Sequence, residues 1–280
     1  MRKTIARSCA LAGILFAATM AVSQAGNLKD IKITAEFPWE RCALNHGLVN
    51  DCVEPYCNPY LPLIPGRVQE LDNEGCDNCE ESKAVAITML ADLQTVNGQE
   101  TRVMEEREWV EEFGEEPAEV SRNFVIMCPA TQDVFYFGED VCLHADDEDA
   151  LKDPLYAGHF DCETEEDMLY GTGAWRAGPG PEDDKPGLLF PGGTFLLNAT
   201  YFQELAAGAL DWAMNAEAGL SEAGFDDCVM VLDRNLLEDP KSKEAGDEKI
   251  YCPGIGIVKD EDLEFVSCTD TAPLGTCVQP

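Results

Sequence analysis

The sequence predicts a mainly β protein: an antiparallel sheet, sandwich or half-barrel, with a disulfide-rich irregular N-terminal arm. Three observations predict it. Short apolar, partly β-branched runs recur between turn signals, as at Asn123 to Met127, Val134 to Phe137 and Cys228 to Leu232. Asn97-Gly98 separates two such runs, and both residue types accept the positive φ of a type I′ hairpin turn. Cysteine is dense, 13 in 280 residues, which points to a covalent framework.

The first 25 residues read as a signal peptide. Arg2, Lys3 and Arg7 precede an uncharged apolar run from Leu11 to Val22, and Ser23-Gln24-Ala25 offers small residues for cleavage. The run is shorter than the ~20 residues a bilayer-spanning helix needs. No second run of that kind follows, so no transmembrane span is expected. The expected location is the periplasm or the extracellular space.

Residues 26–82 form the cysteine-rich arm, 83–266 the β-rich body and 267–280 a disulfide-stapled tail. Within the body, Ala84 to Leu93 and Thr101 to Val110 flank the Asn97-Gly98 turn. Asn123 to Met127 and Val134 to Phe137 flank Pro129 to Gln132. Gly187 to Phe202 holds two apolar runs broken by Pro191-Gly192-Gly193. Lys249 to Cys252 and Ile255 to Val258 supply further strands. One stretch reads differently: Tyr201 to Glu222 is rich in Ala, Leu and Glu, and on propensity alone it is a helix, near 203–222.

Loss of the signal peptide removes Cys9 and leaves an even set: Cys42, Cys52, Cys57, Cys76, Cys79, Cys128, Cys142, Cys162, Cys228, Cys252, Cys268 and Cys277. An oxidising compartment favours disulfides among them, with connectivity left open. Cys268 and Cys277 staple the tail, to each other or to the body. Cys52, Cys57, Cys76 and Cys79 loosely resemble a zinc ribbon, and Cys76-x2-Cys79 a redox pair. Both rank below disulfides, because thiolate zinc sites are mostly intracellular and the second pair lies in an acidic turn.

The formal net charge is -35. That excludes a nucleic-acid binder working through phosphate neutralisation and makes cations natural partners; a divalent cation or a small molecule is the expected partner. Asp146, Asp147 and Asp149 lead an acidic insert reaching Glu166, between Cys142 and Cys162. Packed carboxylates suit a hard cation, above all calcium, although the insert lacks the EF-hand spacing. His144 and His159 flank it and extend the candidate set to copper or zinc. A solvated acidic loop is the plainer reading. Tyr136, Glu139, Trp175 and Lys185 are candidates for a ligand pocket in the sheet. Glu139 and Asp140 are adjacent carboxylates that point to opposite faces if their strand continues; a turn role is the simpler assignment. No Gly-x-Ser-x-Gly, phosphate loop, His-Glu-x-x-His or Cys-x-x-Cys-His occurs.

Six ordered segments carry a resemblance. They are Cys57 to Gly66 (CNPYLPLIPG), Val134 to Asp140 (VFYFGED), Gly173 to Gly178 (GAWRAG), Lys185 to Pro191 (KPGLLFP), Gly224 to Cys228 (GFDDC) and Tyr251 to Val258 (YCPGIGIV). Together they resemble a family of exported bacterial proteins described only as hypothetical. The resemblance covers about Asn58 to Lys259. It implies a β-rich fold and export, supplies no catalytic residues, and implies strands where propensity favours a helix at Tyr201 to Glu222. The expectation is an exported, acidic, disulfide-stabilised binding protein, taking a divalent cation through its insert. One alternative is a secreted enzyme acting on a small molecule or polymer in the mouth of a half-barrel. The other is a surface or assembly component, marked by an exposed apolar patch or an unpaired edge strand.

Overall fold

The computed structural model describes residues 39–52, 57–73, 82–165, 167–180, 183–237, 246–271 and 274–277. The signal peptide expected at 1–25, and Cys76 and Cys79, lie outside the described residues.

Alternating sequence and tight turns build one antiparallel sheet. A short helix, α1 (Trp39–Asn45), precedes β1 (Arg67–Asp72), β2 (Ser82–Val96), β3 (Gln99–Val110), β4 (Glu119–Met127) and β5 (Val134–His144). These five strands pair in sequence order. The β2–β3 turn is Asn97-Gly98 at φ 48° and 74°, as the sequence predicts. The far edge of β5 takes three partners along its length: β7 (Met168–Gly171), β8 (Trp175–Arg176) and β9 (Lys185–Phe190). The two-residue β6 (Ala150–Leu151) lies beyond β7.

After β10 (Thr200–Phe202) and β11 (Glu204–Leu205) comes a second meander: β12 (Asp211–Glu222), β13 (Phe225–Asn235), β14 (Asp247–Cys252), β15 (Gly256–Asp260) and β16 (Leu263–Thr271), with β17 (Leu274–Thr276) beside β16. Strand β16 returns to β1, pairing Cys268 with Gln69. The sheet is therefore curled, yet not closed. At its seam, β10 ladders onto β12 while β11 reaches β9 through only two residue pairs, Glu204 with Pro186 and Leu205 with Lys185.

Gly187 makes that seam. A β-carbon there would fall inside the carbonyl of Gln203, so only glycine lets residues 200–205 lie against β9. The amide of Gln203 adds Nε2–H···O to Leu189, 3.0 Å.

Both faces of the sheet are used. Phe135 and Phe137 are fully buried on the face opposite Tyr136, and Trp39 of α1 meets Phe137 edge-on at 5.1 Å. Two smaller apolar clusters sit apart from the main core, each around disulfides. Ile250, Ile255 and Val258 pack with Cys228–Cys252 and Cys268–Cys277; Val120 and Met168 pack with Cys142–Cys162. Cys42–Cys128 anchors α1 to the end of β4, and Cys52–Cys57 closes a local loop.

Three expectations are corrected. The stretch near 203–222 is not a helix but β11 and β12. Ala213 and Asn215 are buried on one side of β12, Gly219 takes φ 74°, and Ala223-Gly224 turn at φ 51° and 85° to meet β13. A partner strand as apolar as Cys228 to Leu232 outweighs the helix preference of Ala and Leu. The arm is not wholly irregular, because β1 pairs on both sides within the sheet. The loose zinc ribbon is excluded, because Cys52 and Cys57 bond to each other.

Gly187→Ala is expected to destabilise the fold by about 1–3 kcal/mol or more, the usual range for overpacking. Gly173→Ala is the control: its added β-carbon meets only Val141 at 3.9 Å. Urea melts of the two variants check this.

Candidate functional site

The curl encloses a cavity of about 220 Å³. Strand periodicity decides what faces it. On β3, Met104 and Glu106 line it; on β14, Lys249 and Tyr251 do, while Ile250 joins an outer cluster. On β5, Tyr136 and Glu139 both point inward although they are three residues apart. The β4–β5 register slips between Asn123 and Val125, and Gly138 at φ 141° absorbs the slip. A β-carbon at Gly138 would collide with the backbone of Trp175 and Arg176.

Six carboxyl groups face this space: Glu106, Glu139, Glu204, Asp211, Asp233 and Asp260. Two cations share the lining. Arg67 is spent on Asp270, at 2.8 and 3.0 Å, and on the carbonyls of Gly254 and Ile255. Lys249 lies 3.2 Å from Asp233 and 3.6 Å from Asp260, and those two carboxylates hold its pKa well above the usual lysine range. Glu204 accepts from Trp175 Nε1 at 3.0 Å and shares a hydrogen bond with Asp211. Tyr136 donates to Asn123 Oδ1. Among the described residues, Glu106 and Glu139 reach no hydrogen-bond donor. Leu61, Ile87, Met89, Met104, Leu189 and Ile257 supply apolar wall.

Enclosure without a counter-charge favours the protonated acid. Burial, and then repulsion by Glu204, pushes Glu139 well above the carboxylate range, and burial with Asp211 does the same to Glu204. Burial raises Glu106 to about 7, against the pull of Lys249. Burial raises Glu119, behind the Glu108 carboxylate, to about 8.

A second cavity of about 210 Å³ adjoins the first. Glu106, Lys249 and Asp260 line both and form the waist between them. Beyond the waist lie Glu108, Glu261 and Asp262, the last two exposed on the β15–β16 turn. The interior thus runs from an acidic mouth, past the waist, to Glu139 and Glu204.

Of the four pocket residues expected from sequence, three converge. Tyr136 and Glu139 line the cavity, and Trp175 stands behind them, edge-on to Tyr136 at 5.4 Å. Lys185 does not: it sits at the seam and donates to the carbonyl of Gly180. The lysine that does line the cavity is Lys249.

The turn role for Glu139 and Asp140 is corrected, because β5 continues to His144 and sends the two carboxyls to opposite faces. Asp140 accepts from Arg176 at 3.1 and 2.7 Å, from the Phe160 amide at 2.9 Å and from Tyr156. It thereby pins the acidic insert onto β5. Other contacts fasten the same strap: Cys142–Cys162, a bidentate Arg107–Glu165 pair at 3.0 Å, and Arg122 stacked 4.1 Å over Phe160.

The candidate metal ligands are not gathered. His159 Nε2 accepts from the Val141 amide at 3.2 Å, and its Nδ1 meets the Phe160 carbonyl at 2.7 Å. His144 Nε2 meets Glu116 at 3.1 Å, and its Nδ1 accepts from the Asp146 amide. Asp147 Oδ1 caps the Asp149 amide at 2.8 Å, and Asp146 and Asp149 are exposed. Among the described residues, no three His, Cys, Asp or Glu side chains are grouped to hold a metal ion.

Sequence reasoning missed Glu106, Glu204, Asp211, Asp233, Lys249 and Asp260. Parity with apolar neighbours was the available signal, as Glu106 with Met104 and Lys249 with Tyr251. It does not say which face of a strand is enclosed.

The raised carboxyls give stability a pH dependence of defined sign. Between about pH 4.5 and 8 the native state holds protons on Glu106 and Glu119 that the unfolded chain has lost, so stability falls as pH rises. The melting temperature is expected to drop from pH 5 to pH 8. Glu106→Gln should flatten part of that slope and raise the melting temperature at pH 8.

No protein-family model, curated protein or solved structure matches the chain.

Proposed function

We propose that this is an exported binding protein that takes a small organic cation inside its curled sheet. The observation that carries the reading is Glu139: a half-buried carboxyl that lines the cavity with Glu204 and Asp211 and has no donor among the described residues. An enclosed carboxylate needs a proton or a counter-ion. Lys249 shows that an ammonium is a suitable counter-ion here, since it already bridges two of the six carboxyls. The apolar wall suits a ligand with a hydrocarbon body, and the dispersed carboxyls suit an organic cation over a metal ion. The acidic mouth steers cations inward. Export is supported by the five described disulfides.

Thermal melts at pH 8 with a panel of small alkylammonium and guanidinium compounds test this. A cation bound at 100 times its Kd should add about 2.7 kcal/mol of stability. Glu139→Gln should lose the upshift, while neutral isosteres give none with either protein. Equal behaviour of cations and neutral isosteres would sink the reading.

A second reading, an enzyme using the same site, is favoured by one observation. Glu204 and Asp211 share a hydrogen bond next to Glu139, an arrangement suited to passing a proton. Conversion of a bound cation, lost in Glu204→Gln with binding retained, would mark it.

A further inference from the structure

The cavity holds two carboxyls without donors, and they stand apart. Glu139 on β5 lies at the level of Met104, because both pair with Asn123 of β4. Glu106 lies one step nearer the mouth, opposite Ser121. The two are thus separated by two strand spacings and two residues along the strand, about 10 Å across and about 7 Å along between their backbones. Both residues line the same cavity.

Each carboxyl has its own electrostatic company. After burial, Glu139 is raised most by Glu204, then by Glu119 and Glu106; Glu106 is lowered by Lys249 and raised by Asp260 and Glu108. Between the two carboxyls the register places Met104 of β3 and Asn123 of β4, both on the cavity wall, with Ile87 and Met89 of β2 on the far side of β3. One ammonium on Glu139 leaves Glu106 with only a share of Lys249, which already bridges Asp233 and Asp260.

We propose that the ligand is a linear diamine, with one ammonium on Glu139 and the other on Glu106, and with its methylene chain over Met104. This rests on the cation-binding reading above and adds the number of charges and their spacing. A chain of about four methylenes, with an ammonium–carboxylate contact at each end, spans a distance of the order of that backbone separation. Glu106 stands at the waist with Lys249 and Asp260, so the ammonium it holds is the one nearer the mouth.

Calorimetric titration of the disulfide-intact chain at pH 8 tests the proposal, with 1,4-diaminobutane and 1-aminobutane as probes. The diamine is expected to bind at least about tenfold more tightly, beyond the factor of two from its two equivalent ends. Glu106→Gln should remove that advantage and leave the two amines alike. Glu139→Gln should weaken both. If both amines bind the native chain equally, the site takes one ammonium: the diamine proposal fails and the cation-binding reading stands. If neither amine binds, both fail. The comparison within the native chain needs no variant to fold; near-ultraviolet circular dichroism verifies the two that are used.

Discussion

The cavity exists because two backbones touch at the seam. Gly187 has no side chain, so the carbonyl of Gln203 lies where a β-carbon would be. That contact turns residues 200–205 against β9 and brings Glu204 round to face Tyr136 and Glu139. Without it the sheet would splay, and its six carboxyls would meet bulk water instead of one another. The interior electrostatics therefore depend on a steric allowance, and the seam carries that load on two residue pairs and one glutamine side chain.

The acid-rich composition divides into two uses. Outside the curl, carboxylates are consumed by arginines: Asp140 by Arg176, Glu165 by Arg107, and Glu105 by both Arg107 and Arg122 at 2.9 Å. The acidic insert is thereby a strap across β3, β4 and β5, held at one end by Cys142–Cys162. Inside the curl, six carboxyls face the cavity with Lys249 as their counter-charge, since Arg67 is committed to Asp270. The conspicuous acidic insert is fastened to the outside of the sheet, and of the six cavity acids only Glu139 stood out in the sequence.

That inversion explains how far the sequence could be read. Hairpins, disulfide density and the β class are local properties, written in Asn97-Gly98, in alternating runs and in cysteine count. The strand at 211–222 was hidden, because Ala and Leu favour a helix until a long apolar partner such as β13 competes. Glu139 and Tyr136 were legible as candidates, yet a period of two places residues 136 and 139 on opposite faces. Only the slip at Gly138 unites them. Glu106, Asp233 and Lys249 carry no motif, and their meeting comes from the curvature of a sheet assembled from strands far apart in the chain.

One pairing has a consequence for how the molecule is made. Strand β1 bonds to β2 on one side and to β16 on the other, so Gln69 waits for Cys268. A chain emerging amino end first must hold one edge of β1 open until nearly all its length has followed. Long-range pairing of this kind is slow, and a waiting edge strand invites association with other chains. The heavy negative charge answers that exposure: partly emerged chains repel one another while the last strand is still on its way.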